Sequence, residues 1–240
     1  KELIVESRCE QLSDKKLAWA TSINPAFTVA IGLEAYDNEV LRFHVNKGFT
    51  TASWDRAVAN LKKHNLRIKT YLMFKPPFMS EADALDHCVK WIGDVAEHSD
   101  EISINPMNIQ RGTVIDRLHR HNEYRPPWLW SLVEMIRRAH PLVHPKGGIN
   151  GDEDQVSRLI VHPTAGGKIR GSHNCGSCDA EVVAAIERYA VSGSLQEFEG
   201  LDCSCRLAWE AEVNLERQLP VPLGISKARR GSAVARLRSP

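Results

Sequence analysis

The run Ile4-Val5-Glu6-Ser7-Arg8 is an apolar segment that ends in polar residues, and this pattern is the main guide to the fold. Similar segments follow at residues 29–34, 68–77 and 102–108. Amphipathic stretches with helical spacing separate them, and an alternation of strands with helices favours a parallel sheet. The sequence therefore predicts an α/β fold whose sheet curls into a barrel.

The ends of these strands are the expected location of a functional site, because the loops after the strands of a parallel barrel carry its chemistry. The polar residues at those ends should gather on one rim of the barrel. They are Glu6, Ser7, Arg8, Glu34, Lys75, Asn105 and Asn108.

Helix signals place the other elements. Ser13 is a plausible N-cap for the first helix, which Asn24-Pro25 closes, and Ser80 with Asp83 resembles a capping box at the start of a longer one. Further helices are predicted over residues 55–64, 112–118, 129–139 and 180–190, and a further strand over 157–161.

Composition predicts three regions: a partial barrel over residues 1–143, a cysteine-rich extension over 144–215, and a poorly ordered tail over 216–240. The tail is basic and has no acidic residue after Lys227. A solvated tail and an arm that contacts RNA are both compatible with this composition.

The chain has 240 residues, of which 42% are hydrophobic and 25% charged, and a net charge of +1. This composition is typical of a globular protein and does not by itself indicate nucleic-acid binding. No apolar run approaches the roughly 20 residues of a membrane span, and no signal peptide is recognisable, so we expect a cytoplasmic protein without membrane association. Because the chain begins at Lys1 almost within a strand, we also expect it to be a fragment that lacks an N-terminal part.

Four of the six cysteines form two close pairs, Cys175 with Cys178 and Cys203 with Cys205. Thiols stay reduced in the cytoplasm, so two such pairs indicate a metal site more than disulfides. Four thiolates suit a structural zinc ion, and His173 could replace one of them. An iron–sulfur cluster would accept the same ligands, and the absence of any metal is a third possibility.

Several motifs resemble the radical S-adenosylmethionine (SAM) enzymes, and in particular the radical SAM proteins of archaeosine biosynthesis. The motifs include Glu6-Ser7-Arg8, Ile31-Gly32-Leu33-Glu34, Asn46-Lys47-Gly48-Phe49, Lys75-Pro76-Pro77-Phe78 and the run at residues 104–113. Of these, the Gly-Leu-Glu and Asn-Lys-Gly pieces occur across radical SAM enzymes. Two others are more particular to the archaeosine proteins, namely Tyr124-Arg125-Pro126-Pro127-Trp128-Leu129-Trp130 and His173-Asn174-Cys175 with the later Cys-x-Cys. The resemblance covers roughly residues 1–210.

The resemblance implies two cofactors, SAM and a [4Fe–4S] cluster. Radical SAM enzymes hold the cluster on a Cys-x-x-x-Cys-x-x-Cys loop, and this sequence has no such motif. In the resembling proteins that loop lies upstream of the strand that corresponds to residues 4–8. The cluster ligands are therefore expected outside this chain, which by itself should not reduce SAM.

The resemblance also implies a reaction. Proteins of this kind cleave SAM to a 5′-deoxyadenosyl radical and act on a lysine-bearing 7-deazaguanine in the D-loop of archaeal tRNA. They break a lysine C–N bond and leave archaeosine. The implied partners are tRNA and the transglycosylase-like alpha subunit of archaeosine synthase. The alternatives are another tRNA base, a small-molecule substrate, or a zinc-stapled RNA-binding module without catalysis.

Residue roles follow from the same resemblance. Glu34 is expected near the SAM ribose, whose diol a carboxylate can bind through two hydrogen bonds, with a helix-capping or salt-bridged glutamate as the alternative. Glu6, Ser7 and Arg8 are the other predicted cofactor-binding residues, with Arg8 clamping the SAM carboxylate, although a structural Glu–Arg pair is an alternative. Lys75 and Asn105 are the predicted catalytic residues, and either Asn105 or Asn108 should line the pocket.

Contacts with tRNA are predicted for basic and aromatic residues. The phosphate-binding candidates are Arg111, Arg117, Arg120, Arg125, Lys168 and Arg170. Trp128 and Trp130 could stack a flipped base, but packing against the barrel wall is the favoured interpretation.

Overall fold

A computed structural model describes residues 3–144 and 157–218. Its five strands form one sheet in the order β1-β2-β3-β4-β5, and every neighbouring pair is parallel. The strands are β1 (Ile4–Ser7), β2 (Thr28–Glu34), β3 (Arg67–Phe74), β4 (Glu101–Pro106) and β5 (Arg158–Val161). The predicted α/β fold with a parallel sheet is thus confirmed. Within the described residues β1 and β5 are edge strands, so closure into a barrel is not seen there and stays a prediction.

Eight α-helices accompany the sheet in the described ranges. They are α1 (Asp14–Ile23), α2 (Asn38–Val40), α3 (Thr51–Lys63), α4 (Glu81–Ala96), α5 (Val114–Arg120), α6 (Leu129–Val143), α7 (Asp179–Ser192) and α8 (Cys205–Gln218). The π-helical turn Leu41–Val45 continues α2. No helix of residues 3–144 and 157–218 combines the length and the apolar character needed to cross a membrane.

Two helices differ from the sequence prediction. Helix α3 begins four residues before the predicted start at Asp55, because Thr50 in extended conformation already marks its N-cap. Helix α8 was not predicted: its buried positions are only Trp209 and Val213, so its apolar stripe is too narrow to stand out in the sequence.

The capping predictions hold in part. Ser13 occupies the N-cap position of α1, but its side chain accepts no hydrogen bond there. The hydroxyl of Ser80 accepts a hydrogen bond from the Asp83 N–H at 3.0 Å, as the sequence predicts for α4. In addition, the Glu216 carboxylate at the end of α8 accepts a hydrogen bond from the Ala82 N–H at 2.9 Å. The first turn of α4 thereby joins α8 to the end of the sheet.

The two faces of the sheet differ in character, as alternation along the strands requires. In β2, Val29, Ile31 and Leu33 are buried in the core cluster that the helices complete. Ala30, Gly32 and Glu34 point to the opposite face, where they line a cavity. Alternation therefore places the polar residues of the strands together.

The core includes residues from both sides of the predicted boundary at residue 144. Ile31 and Leu72 of the sheet, Trp91 of α4, Tyr189 of α7 and Trp209 of α8 belong to one cluster of buried side chains. The cysteine-rich part therefore packs against the sheet. The boundary itself adjoins residues 145–156 and stays a prediction, and most of the predicted tail, from residue 219 onward, also lies outside the described residues.

Candidate functional site

A polar cavity of about 800 Å³ opens on the face of the sheet away from the helices. It brings together five of the predicted site residues from three strands: Glu6, Ser7, Arg8, Glu34 and Asn105. Several other residues that line it had no predicted role, namely Lys47 (quoted only within a motif), Lys69, Tyr71, Ser103, His162 and Thr164. Of these, Lys69 and Tyr71 could have been found from the alternation in β3, since they share one face with Met73.

Glu34 is held in an unusual conformation at the end of β2. Its φ is +73°, and the pairing of β2 with β3 shifts register between Gly32 and Glu34. The left-handed region costs a residue with a side chain about 1–2 kcal/mol, and such outliers concentrate at functional sites. The carboxylate forms an ion pair with the Lys47 ammonium at 2.7 Å, and both side chains are mostly buried. The backbone thus presents a paired carboxylate to the cavity.

Gly32 leaves the space that this ion pair occupies. A Cβ at this position would lie 3.0 Å from Glu34 Oε1 and 3.2 Å from Lys47 Nζ. We expect Gly32→Ala to displace the ion pair while changing the free energy of unfolding by less than about 1 kcal/mol, because both contacts are the ends of flexible side chains. Urea unfolding tests this, with the exposed helical substitution Ala52→Gly as a control. A loss of clearly more than about 1 kcal/mol in Gly32→Ala would contradict the expectation.

The first strand contributes a carboxylate and a guanidinium that do not pair with each other. Arg8 donates a hydrogen bond to Glu10 at 2.8 Å and to the Lys47 carbonyl at 3.2 Å. Glu6 accepts a hydrogen bond from the Tyr71 hydroxyl at 3.3 Å. Burial raises the pKa of Tyr71, so its hydroxyl remains a donor at neutral pH. Arg8 therefore forms the structural Glu–Arg pair considered as an alternative, with Glu10 and not with Glu6.

Lys75 lies outside the set of residues that line the polar cavity. Its buried ammonium forms an ion pair with Glu81 and lies 5.6 Å from the centroid of the Tyr124 ring. The second oxygen of Glu81 accepts a hydrogen bond from the Trp128 N–H at 2.8 Å, and the Tyr124 hydroxyl donates to the Lys75 carbonyl at 2.8 Å. This network fixes the loop after β3, where Lys75 has a φ of +55°. The catalytic role of Lys75 stays a prediction.

Asn108 lines a second, largely apolar pocket of about 440 Å³ at the ends of β3 and β4. Met73, Phe78 and Met107 form part of its wall. Because Met73 pairs with Asn105 in the sheet, this pocket adjoins the polar cavity. The two predicted asparagines therefore face different spaces, and only Asn105 faces the polar one.

The four predicted cysteines form a compact group. The Sγ atoms of Cys175, Cys178, Cys203 and Cys205 all lie within 4.8 Å of one another. Cys175 Sγ is 4.0 Å from Cys178 Sγ and 3.7 Å from Cys203 Sγ, and Cys178 Sγ is 3.7 Å from Cys205 Sγ. Four sulfurs bound to one ion at about 2.3 Å in a tetrahedron would be about 3.8 Å apart. The arrangement therefore fits a single tetrahedral metal ion.

Neighbouring groups donate hydrogen bonds to these sulfurs. The backbone N–H of Cys178, and after it that of Ser177, lowers the pKa of Cys175 to about 6. Burial raises the pKa of Cys205 to about 12 and also raises that of Cys178. Trp130 Nε1 donates to Cys205 Sγ and Asn174 Nδ2 donates to Cys178 Sγ, each at 3.3 Å. Such donors orient metal ligands and stabilise their negative charge.

Four other residues with predicted roles lie near the cysteine group, and each of them packs or hydrogen-bonds within the protein: His173, Trp130, Arg125 and Trp128. His173 is outside the four-cysteine group, and its Nδ1 hydrogen-bonds to the Gly171 carbonyl at 2.8 Å. Trp130 is buried, which agrees with the packing interpretation. The Arg125 guanidinium lies 3.9 Å from the centroid of a Trp128 ring, and Trp128 Nε1 donates to Glu212 at 3.0 Å. Arg125 therefore packs against Trp128 and is only partly exposed, unlike most of the other phosphate-binding candidates.

Comparison with solved structures finds a likeness in fold to archaeal Elp3 of Methanocaldococcus infernus, lacking its N-terminal residues 1–46. The TM-score is 0.56 with 18% sequence identity, over 84% of this chain and 43% of that one. No protein-family model matches the sequence.

Two curated relatives are named archaeosine synthase subunit beta. The protein of Methanosarcina acetivorans is 33% identical over 89% of this chain and 59% of its own length. That of Thermococcus kodakarensis is 35% identical over 87% of this chain and 62% of its own length. The chain thus spans about 60% of the length of these relatives. The resemblance to the proteins of archaeosine biosynthesis, predicted from the sequence motifs, is thus confirmed by two relatives at 33% and 35% identity over most of this chain.

Proposed function

We propose that this protein is part of a radical SAM enzyme of archaeal tRNA modification, which breaks a lysine C–N bond on a lysine-bearing 7-deazaguanine to give archaeosine. The observation that carries this proposal is the polar cavity, which gathers Glu6, Ser7, Arg8, Glu34 and Asn105 at one end of a parallel sheet. The names of the two curated relatives support the tRNA substrate.

The chemistry of the cavity fits SAM. The Glu34 carboxylate suits a ribose diol, and Arg8 suits the carboxylate of the methionyl group. Glu6 and Ser7 complete the polar wall beside Arg8. A reduced [4Fe–4S] cluster, with ligands outside this chain, would supply the electron for SAM cleavage. The residues of this chain bind and orient SAM and close one side of the cavity.

Asn105 and Lys75 have different roles in this proposal. Asn105 faces the cavity and contacts the reacting part of the substrate through its amide. Lys75 holds the loop after β3 through Glu81, and its ammonium would have to leave that pair to take part in the reaction itself.

The cysteine group binds a structural zinc ion in this proposal. The three closest sulfur separations, 3.7, 3.7 and 4.0 Å, are those of one tetrahedral ion. A [4Fe–4S] cluster would set its four thiolates farther apart, because each binds a different iron. With all four positions taken by protein thiolates, the zinc would have no open site for catalysis.

The partners follow from the names of the relatives. A beta subunit acts with another subunit, and we propose a transglycosylase-like alpha subunit that attaches the lysine before this protein acts. We propose a cytoplasmic reaction, since the proposed substrate is tRNA.

Anaerobic SAM cleavage tests the proposed function. The protein would be expressed with the further length of its curated relatives, reconstituted with iron and sulfide, and assayed for reductant-dependent formation of 5′-deoxyadenosine, with and without lysine-bearing tRNA. Glu34→Ala and Asn105→Ala should each lower kcat/KM for SAM cleavage about 10- to 100-fold, since a hydrogen bond to a charged group contributes about 1.5–3 kcal/mol. The surface control Lys90→Ala should be unaffected.

The outcomes separate the alternatives. Stimulation by lysine-bearing tRNA, with archaeosine formed in step, supports the proposal. If SAM is cleaved at the same rate with and without this tRNA, the substrate is another tRNA base or a small molecule. A protein with an intact cluster that never cleaves SAM would instead be a zinc-stapled RNA-binding module.

A further inference from the structure

The segments 107–124 and 163–173 meet on one surface beside the apolar pocket. The Ile109 N–H donates to the Arg170 carbonyl at 2.7 Å, and Arg170 Nε donates back to the Ile109 carbonyl at 3.0 Å. Gln110, Thr113 and Val114 line the apolar pocket, so this surface borders its mouth. We call it the α5 surface; its cations are Arg111, Arg117, Arg120, Lys168 and Arg170.

One buried carboxylate organises the α5 surface. Asp116 accepts hydrogen bonds from the Gly112 N–H at 3.0 Å, from Arg120 at 3.1 Å and from Arg170 at 2.6 Å. The hydrogen bond from Arg170 is the main reason why the pKa of Asp116 lies below its usual value, so it is ionised at neutral pH. Asp116 therefore fixes two arginines at the edge of the surface and joins the two segments.

The remaining cations point to solvent. Arg111, Arg117 and Lys168 are exposed, and within the described part of the chain no carboxylate forms an ion pair with them. The two segments together contain five Lys or Arg residues against two carboxylates, Asp116 and Glu123, whereas the whole chain has a net charge of only +1. Positive charge is therefore concentrated here, next to the exposed apolar side chains of Val114 and Ile169.

We propose that the α5 surface binds the phosphodiester backbone of RNA and directs it to the adjoining pockets. Cations on flexible exposed side chains suit phosphates, which require positive charge more than fixed geometry. The location matters as well, because the surface lies at the end of β4 beside both pockets. This inference rests on the proposed function for the identity of the RNA as tRNA.

Direct RNA binding by the zinc-loaded chain tests the α5 surface. The triple variant Arg111→Gln, Arg117→Gln, Lys168→Gln would be compared with wild type by fluorescence anisotropy on a labelled tRNA transcript over a range of salt concentrations. We expect its affinity to fall at least about 10-fold at 0.1 M salt, and the slope of log K against log salt to become shallower by about 2–3.

A matched control removes the same charge elsewhere. Lys15→Gln, Arg56→Gln, Lys90→Gln neutralises three exposed cations on α1, α3 and α4. Its affinity should stay within about 3-fold of wild type, because charges beyond a Debye length of about 10 Å contribute little. Circular dichroism melting of both variants shows whether each remains folded.

Three results would overturn the proposal. If the α5 variant binds tRNA with wild-type affinity, RNA binds at another surface. The proposed function would not be affected by that result, provided that tRNA still stimulates SAM cleavage. If both triple variants weaken binding equally, the effect is one of overall charge. If polyglutamate competes as effectively as RNA, the surface recognises acidic polymers in general, including acidic proteins.

Discussion

If the cysteine group binds zinc as proposed, Cys178→Ser should strongly weaken zinc binding and destabilise the C-terminal half of the protein. Cys178 is the buried member of the group, and its sulfur is 3.7 Å from that of Cys205, where α8 begins. A structural zinc site contributes about 10–16 kcal/mol of binding free energy, so the loss of one of four thiolates should lower zinc affinity at least about 100-fold. Metal analysis after dialysis and competition with a chromogenic chelator measure this.

The effect should extend beyond the metal, because α8 connects the cysteine group to the sheet. Trp209 and Val213 of α8 are buried in the core, and Glu216 accepts the hydrogen bond from the Ala82 N–H at the start of α4. Removal of zinc should therefore lower the thermal midpoint and increase amide exchange in α8. The control Cys88→Ala removes a buried cysteine on α4 and should keep one zinc per chain. Full zinc content in Cys178→Ser would contradict the assignment of the site.

Lys75→Met should destabilise the fold by about 3–5 kcal/mol, since it leaves the buried Glu81 carboxylate without its cation. Glu81 is fully buried and Lys75 almost so. Chemical unfolding in urea, followed by tryptophan fluorescence, measures the change.

An exposed ion pair on α4 serves as the control for the loss of stability expected from the buried pair. Lys90 and Asp94 form an exposed ion pair one turn apart on α4, at 2.7 Å. Lys90→Met should cost no more than about 0.5 kcal/mol, as such pairs contribute little. The double variant Lys75→Met, Glu81→Met should recover part of the loss, because no uncompensated charge remains. A cost below about 1 kcal/mol for Lys75→Met would show that Glu81 does not depend on Lys75.

The strand–helix alternation could be predicted from the sequence because each strand is a short apolar run and helices α3, α4 and α6 each have a wide apolar face. The four cysteines were readable for another reason: ligand type and spacing within Cys-x-x-Cys and Cys-x-Cys are local properties. The polar ends of β1, β2 and β4 were found because parallel strands direct their carboxyl ends to the same side. Short-range patterns thus determined the order of strands and helices, the cysteine group and five of the residues that line the cavity.

The tertiary structure decided which polar residues actually meet. Lys47 enters the cavity from the turn after α2 and pairs with Glu34, although 13 residues separate them in sequence. Lys75 sits at a strand end like Glu34, yet it turns toward Glu81 and away from the cavity. Helix α8 packs through only two buried side chains, Trp209 and Val213, and begins at Cys205 of the cysteine group. Side-chain direction and long-range pairing depend on the packing of the whole chain, and no local pattern of residues encodes them.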